Sequence, residues 1–248
     1  MTRIDLYFTP PEAERASIDG RQIVIIDVLR SCTSIAVALS NGASKVIPVE
    51  SVEEAARLAS TLGSKSRLLC GERDGRKVSG FDLGNSPHEY GRERVEGATL
   101  VFASTNASPL MAGLLEGRDQ LLLAYVNVGA VAGAVRRRGE DLVVVCAGKN
   151  RRFALEDAAC AGALVRRLTG AGSAVAVNDA ADIAREYDRA HGHDPEAILR
   201  RSEHGRDLIE MGFEDDLPVC ARIDSVPVVP YLREGRITAL SSAPSRPS

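Results

Sequence analysis

The most constraining feature of this chain is a unit that recurs along it: a short, unbroken apolar run, a small polar loop, then a stretch with helical spacing. Gln22–Val28 reads QIVIIDV and is followed by LRSCTS and IAVALSNGA. A run that is apolar and β-branched at nearly every position, rather than at alternate ones, suits a strand buried on both faces, and such strands belong to parallel sheets covered by helices. KVIPV (45–49), Arg67–Cys70, ATLVFAS (98–104), LLLAYVNV (121–128) and DLVVVCAG (141–148) repeat the pattern. Between two of these runs, SVEEAARLASTL (51–62) carries Ser51 and Glu54 at the spacing of a capping box, and Gly63 follows as a stop signal. The alternation predicts an α/β fold: three layers, α/β/α, around a mainly parallel or mixed sheet, with two related halves left open as a trace of duplication.

Past residue 178 the chain changes character. Asp179–His191 and Pro195–Met211 read as polar helices, and LPVCARIDSVPVVPYL, with three prolines among apolar residues, reads as a covering or edge segment. No stretch is long or polar enough to serve as a linker. The reading is one domain over 1–238 and a frayed tail over 239–248.

Composition excludes several classes. A chain that is 44% hydrophobic with a net charge of −3 is not disordered. No apolar run approaches a membrane span, and the N-terminal segment lacks the apolar core of a signal peptide. Mild acidity and 4% aromatics argue against nucleic acid as a partner. The five cysteines are odd in number and form no C-x-x-C pair, so neither a disulfide framework nor a structural zinc site is expected, and the chain reads as cytoplasmic. Only four of the 31 basic residues are Lys. Most of the Arg excess reads as solvated surface, but Arg is the residue that clamps oxyanions with two parallel bonds.

Four motif loops follow strands, where open α/β sheets place their ligands, and a fifth motif lies in the polar helical stretch near the C-terminal end. In IIDVLRSCTS, Asp27 ends a buried run, where a carboxylate needs a partner, a metal or a helix amide to cap. Arg30 and a helix start follow it, and a helix start attracts anions. Asp27 lacks the second carboxylate of a D-x-D phosphatase motif. The glycine-rich loop GERDGRKVSGFDLGNSP holds Glu72, Arg73, Asp82, Asn85 and Ser86, and Asp82 reads as the cap of a local turn. STNAS (104–108) offers Asn106 to an oxyanion or as an N-cap. In VCAGKNRRFALEDAACAGAL, Cys146 and Arg152 have the C-x5-R spacing of thiolate phosphatases. That leaves open whether Cys146 or a metal-bound water is the nucleophile. Glu156 and Asp157 begin the next helix, about 100° apart, so one of them is expected to face the site. SEHGRDLIEMGF supplies His204 as a general acid and Arg206. No G-x-G-x-x-G follows a strand, which argues against a nucleotide-dependent oxidoreductase.

Taken in order, VIIDVLRSCTSIAVALSNGASKVIPV, GERDGRKVSGFDLGNSPHEY, VCAGKNRRFALEDAACAGALV and SEHGRDLIEMGFEDDLPVCARIDSVPVVPYL resemble the magnesium-dependent 2-phosphosulfolactate phosphatases over most of residues 22–232. The resemblance implies a phosphoric monoester hydrolase that converts (2R)-2-phospho-3-sulfolactate to 3-sulfolactate and phosphate with Mg²⁺, in coenzyme M biosynthesis. It carries over Asp27, Arg30, Glu72, Arg73, Asn106, Arg152, Glu156, Asp157, His204 and Arg206 as motif positions. On that basis Asp27, Arg152 and His204 are expected to be catalytic. Arg30, Arg73, Asn106, Cys146 and Arg206 are expected to bind the substrate, and Asp27, Glu72, Asp157 and Glu156 the metal. Two loops depart from the family pattern. T-N-G-T reads Thr105-Asn106-Ala107-Ser108, and A-G-T-x-G-R reads A-G-K-N-R-R, with Lys149 and Arg151 in place of a small hydroxyl residue and a glycine. The alternatives are a phosphatase for another small acidic phosphoester, or a diverged homologue that binds an anion without hydrolysing it. A homo-oligomer is left open.

Overall fold

The structure, a computed structural model, describes residues 1–18, 20–61, 67–111, 119–170 and 174–240. Gly63, the 112–118 part of the stretch after STNAS, Gly172 and the tail from 241 onward lie outside them.

Eleven strands of the described residues form one sheet: β1 (Arg3–Tyr7), β2 (Gln22–Ile26), β3 (Lys45–Val49), β4 (Arg67–Arg73), β5 (Arg76–Lys77), β6 (Thr99–Ala103), β7 (Gln120–Leu123), β8 (Leu142–Cys146), β9 (Ala176–Val177), β10 (Pro230–Arg233) and β11 (Arg236–Ala239). The helices are α1 (Pro10–Ala13), α2 (Ser31–Ser40), α3 (Val52–Thr61), α4 (Arg92–Val95), α5 (Ala107–Pro109), α6 (Val128–Arg138), α7 (Leu155–Leu168), α8 (Asp179–His191), α9 (Pro195–Arg201), α10 (Glu203–Glu210) and α11 (Asp216–Ala221). None is long and apolar enough to cross a membrane.

The strand order is β5-β4-β6-β3-β11-β10-β7-β2-β8-β1-β9. Two parallel groups, β9-β1-β8-β2-β7 and β3-β6-β4, are joined by the antiparallel hairpin β10–β11. This corrects the reading of the C-terminal segment. Pro230, at the first residue of β10 where its missing amide costs least, opens an internal strand rather than an edge, and β11 runs to Ala239. Apolar periodicity could not show this, because a four-residue strand between prolines and charges carries little pattern.

Packing follows the two-residue period of each strand. Val24 and Ile26 of β2, with Leu142, Val144 and Cys146 of β8, face α6, α7 and α8. The alternate residues Ile23, Ile25, Val143 and Val145 face α2 and share its cluster with Val46, Leu100 and Phe102 of the second strand group. Val49, Val101 and Ala103 turn the other way, onto α3. Helix α2 is therefore buried between the two groups, with eight of its ten residues inaccessible. The result is a layered α/β/α fold on a mixed sheet, and the loop that begins α2 is enclosed from both sides.

Candidate active site

A polar cavity of about 120 Å³ lies where β2 and β8 end, closed from the far side by the loops after β4 and β6. One wall is the β2–α2 loop. Asp27, 3% exposed, takes the amide of Ser31 on Oδ1 at 3.1 Å, so it caps α2 while still lining the cavity. Burial pushes its carboxyl up to about 6, against the pull of the nearby His204 charge and the Ser31 hydrogen bonds. Arg30 is equally enclosed. Its guanidinium donates to Asp216 Oδ2 at 2.7 Å and to the Gly75 carbonyl at 2.6 Å, and its carbon lies 4.3 Å from the centre of the Phe213 ring. Asp216 is braced in turn by the Ser86 hydroxyl at 2.5 Å.

The opposite wall is built on β4 and β6. Gly71 has φ +130°, and a Cβ there would lie 1.8 Å from the Ala103 carbonyl oxygen, so only glycine lets the strand turn Glu72 inward at this point. Glu72 Oε1 accepts the Thr105 amide at 2.6 Å; Oε2 accepts the Gly75 amide at 2.7 Å and the Thr105 hydroxyl at 3.0 Å. Glu72 thus ties the β4–β5 turn to the loop after β6, and Asp74, Gly75, Thr105 and Asn106 line the cavity around it. Asn85, 4% exposed, also lines it, and its amide oxygen has no hydrogen-bond partner among the described residues. The glycine-rich loop reaches this position because the Ser34 hydroxyl holds the Asn85 carbonyl at 2.7 Å and Tyr90 holds that of Gly84 at 2.6 Å. Asp82 does not cap a local turn as expected: it accepts the amide of Leu69, 13 residues back in β4, at 2.8 Å and so ties the glycine-rich loop to that strand.

The third side comes from α10 and the β8–α7 loop, with α7 behind them. The polar stretch 195–211 is two helices broken at Ser202, whose hydroxyl caps α10 through the Gly205 amide at 2.9 Å. A Cβ at Gly205 would meet the Leu199 carbonyl oxygen at 1.8 Å, so glycine permits the tight crossing. This break sets His204 in the first turn of α10, on the cavity wall, with Nδ1 3.1 Å from Glu156 Oε1. Burial opposes a charged imidazole, but the Glu156 hydrogen bond and the Glu156 and Asp27 charges outweigh it, and the net shift is upward. Asp207 follows on the same helix and Met211 just past its end, and Lys149 donates to Glu203 at 2.8 Å and to Asp207.

Several expected site residues are elsewhere. Asp157 does not line the cavity: its oxygens accept the Val28 amide at 2.9 Å and the Gly148 amide at 3.0 Å, stapling the β2 and β8 loops together. Burial, with Glu156 and Asp27 adding, holds its carboxyl well above the usual range. Glu156 meets His204 rather than the cavity. Cys146 ends β8 inside the core, and burial, with Asp157, Cys160 and Glu156 adding, pushes its thiol well up. Sealed and un-ionised, it is placed neither to bind substrate nor to attack it, because nucleophilic cysteines need access and a lowered pKa. Of the four singled-out arginines only Arg30 lines the cavity; Arg73, Arg152 and Arg206 are exposed. A motif fixes where a residue sits along the chain, but Arg73 of β4, Arg206 of α10 and Arg152 of the β8–α7 turn all have their side chains on the solvent side.

The two divergent loops also resolve differently. Ala107 sits in α5 and needs no positive φ, so the missing glycine costs nothing there. Lys149 to Arg152 form a tight turn closed by reciprocal amide–carbonyl bonds of 3.0 Å, with Asn150 and Arg151 at φ 51° and 61°. Arg151 occupies a left-handed position that glycine would fill without strain. Asp74, Asn85, Thr105, Lys149, Asn150 and Asp207 were not put forward as site residues by the sequence. Five of the six lie within one to three residues of a residue that was, while Asn85 is marked only by its place in the glycine-rich loop.

These features can be set beside known proteins. Residues 7–235 match the family model described as 2-phosphosulpholactate phosphatase. A protein of Thermotoga petrophila called "Probable 2-phosphosulfolactate phosphatase" is 39% identical over 88% of this chain and 92% of its own. Relatives of the same name from Symbiobacterium thermophilum and Carboxydothermus hydrogenoformans are 37% and 38% identical over 93% and 97% of this chain, and 98% of their own lengths. With the family model spanning nearly all of the described fold and every wall of the cavity, the chain belongs to the 2-phosphosulfolactate phosphatase family.

Proposed function

We propose that the chain is a phosphatase that hydrolyses (2R)-2-phospho-3-sulfolactate to 3-sulfolactate and phosphate in the cavity at the end of β2. The observation that carries this reading is the meeting of a poorly satisfied carboxylate, an anchored guanidinium and an imidazole: Asp27, Arg30 and His204 line one small polar cavity. Arg30 opposes the phosphoryl charge, and His204 gives its proton to the leaving alkoxide oxygen. Family membership over most of the chain favours this over a binding protein that has lost hydrolysis.

Mg²⁺ fits the site. Among the described residues no three His, Cys, Asp or Glu side chains form a metal cage. Mg²⁺ asks for less, commonly one or two carboxylates with water and substrate phosphate completing its shell. Asp27 and the unpartnered amide oxygen of Asn85 would hold it. Bound there, the ion neutralises phosphate charge and orients water. Glu72, with both oxygens engaged by amides, is a scaffold of that site. The resemblance further supports a cytoplasmic enzyme whose product enters coenzyme M biosynthesis.

The test is phosphate release from 2-phospho-3-sulfolactate by the purified chain, with Mg²⁺ and with excess EDTA. Turnover that EDTA abolishes and Mg²⁺ restores is the expected result. Full activity in EDTA contradicts the metal assignment, and no turnover under any condition contradicts the function.

A further inference from the structure

Glu156 and Asp157 are neighbours at the start of α7, both buried, and their bonding differs in kind. Asp157 satisfies each oxygen with a backbone amide, as a carboxylate kept for architecture does. Glu156, 1% exposed, touches one polar group, His204 Nδ1 at 3.1 Å, and its Oε2 has no hydrogen-bond partner among the described residues. A buried carboxylate oxygen left unmet costs stability. A group retained for packing would be replaced at a profit by an apolar side chain of the same shape. What it does do is fix one imidazole.

We propose that Glu156 is a positioning residue for the phosphatase reaction: its hydrogen bond to Nδ1 sets the ring plane of His204 and leaves Nε2 as the nitrogen that delivers the proton to the leaving group. The dyad spans two secondary elements. The α9–α10 break puts His204 on the cavity wall, and the first turn of α7 brings Glu156 behind it. Imidazoles that transfer protons depend on such a partner at the second nitrogen for orientation and tautomer. In the forward step water attacks phosphorus as the ester oxygen's bond to phosphorus breaks; the Nε2–H proton joins that departing oxygen, the water's protons leave on the phosphate, and the Nδ1–H···Oε1 bond stays in place. Glu156 never meets the substrate.

This inference rests on His204 being the proton donor, so the experiment separates the two. Steady-state kinetics on 2-phospho-3-sulfolactate are compared for the wild type, Glu156→Gln, His204→Gln and the double variant. His204→Gln should lower kcat by about 100-fold or more, the usual size of a general-acid contribution. Glu156→Gln should lower kcat by about 10–100-fold with KM within about 3-fold, and the double variant should be no worse than His204→Gln alone, because the pair acts as one unit. Glu156→Gln keeping wild-type kcat while His204→Gln loses it overturns the positioning role. His204→Gln keeping wild-type kcat overturns the proton-donor reading, and the role of Glu156 with it. If Glu156→Gln does not fold, Glu156→Asp takes its place: drawing the carboxylate back by one methylene should lower kcat at constant KM, and an unchanged kcat contradicts the proposal.

Discussion

The two walls of the cavity are built from opposite materials. On the β4–β6 side, Glu72 gives every oxygen to amides and a hydroxyl of the loops it joins. On the β2–α2 side, Asp27 is as buried as Glu72 but accepts only the Ser31 amide and hydroxyl, and its carboxyl is pushed up to about 6. The same functional group is thus a structural tie on one wall and an expensive, reactive group on the other. The difference teaches where to look for chemistry: not at carboxylates as such, but at those whose burial the backbone does not compensate.

That contrast can be broken by substitution. After Asp27 itself, the largest effect is expected at Arg30, whose two anchors and ring contact fix a planar fork that Lys cannot reproduce. Arg30→Lys should cost about 100-fold in kcat/KM, and a loss under about 3-fold in the same assay would remove Arg30 from phosphoryl recognition. A smaller effect on turnover belongs to the tie. Glu72→Gln keeps one acceptor and leaves a buried amide unmet, so thermal unfolding should show a loss of about 1–3 kcal/mol, with kcat changed less than at Arg30. A Glu72→Gln protein of full stability and no activity would make the two walls alike.

Much of the fold was legible in the sequence, for a physical reason. Strands buried on both faces must be apolar throughout, so Gln22–Ile26 and Leu142–Cys146 announce themselves. The hairpin β10–β11 does not, because four-residue strands carry almost no period, and their prolines read as exclusion from a sheet. The candidate site was legible in Asp27, Glu72 and His204, since charge beside a buried run or in a glycine-rich loop is conspicuous. Which side of the backbone a residue leaves on was not. Arg73 and Glu72 are adjacent, yet one lies in solvent and the other on the cavity wall. The pairing of Glu156 with His204 joins residues 48 apart in sequence, through a helix break that only the Ser202 cap reveals.

The central claim is that Asp27 is held for chemistry at the expense of stability, and one variant tests both halves. Asp27 binds its proton more tightly in the folded chain, at about 6 against an ordinary 3.8. The folded state is therefore unpenalised below about pH 4, loses stability as pH climbs from about 4 to 6, and carries the whole cost, on the order of 2–3 kcal/mol, above that. Asp27→Asn, assayed for phosphate release with Mg²⁺ and for thermal unfolding in metal-free buffer at pH 4 and pH 8, should lose at least about 1,000-fold in kcat. It should also melt higher than the wild type at pH 8 and no higher at pH 4. Retained turnover, or a lower melting temperature at pH 8, would contradict the account.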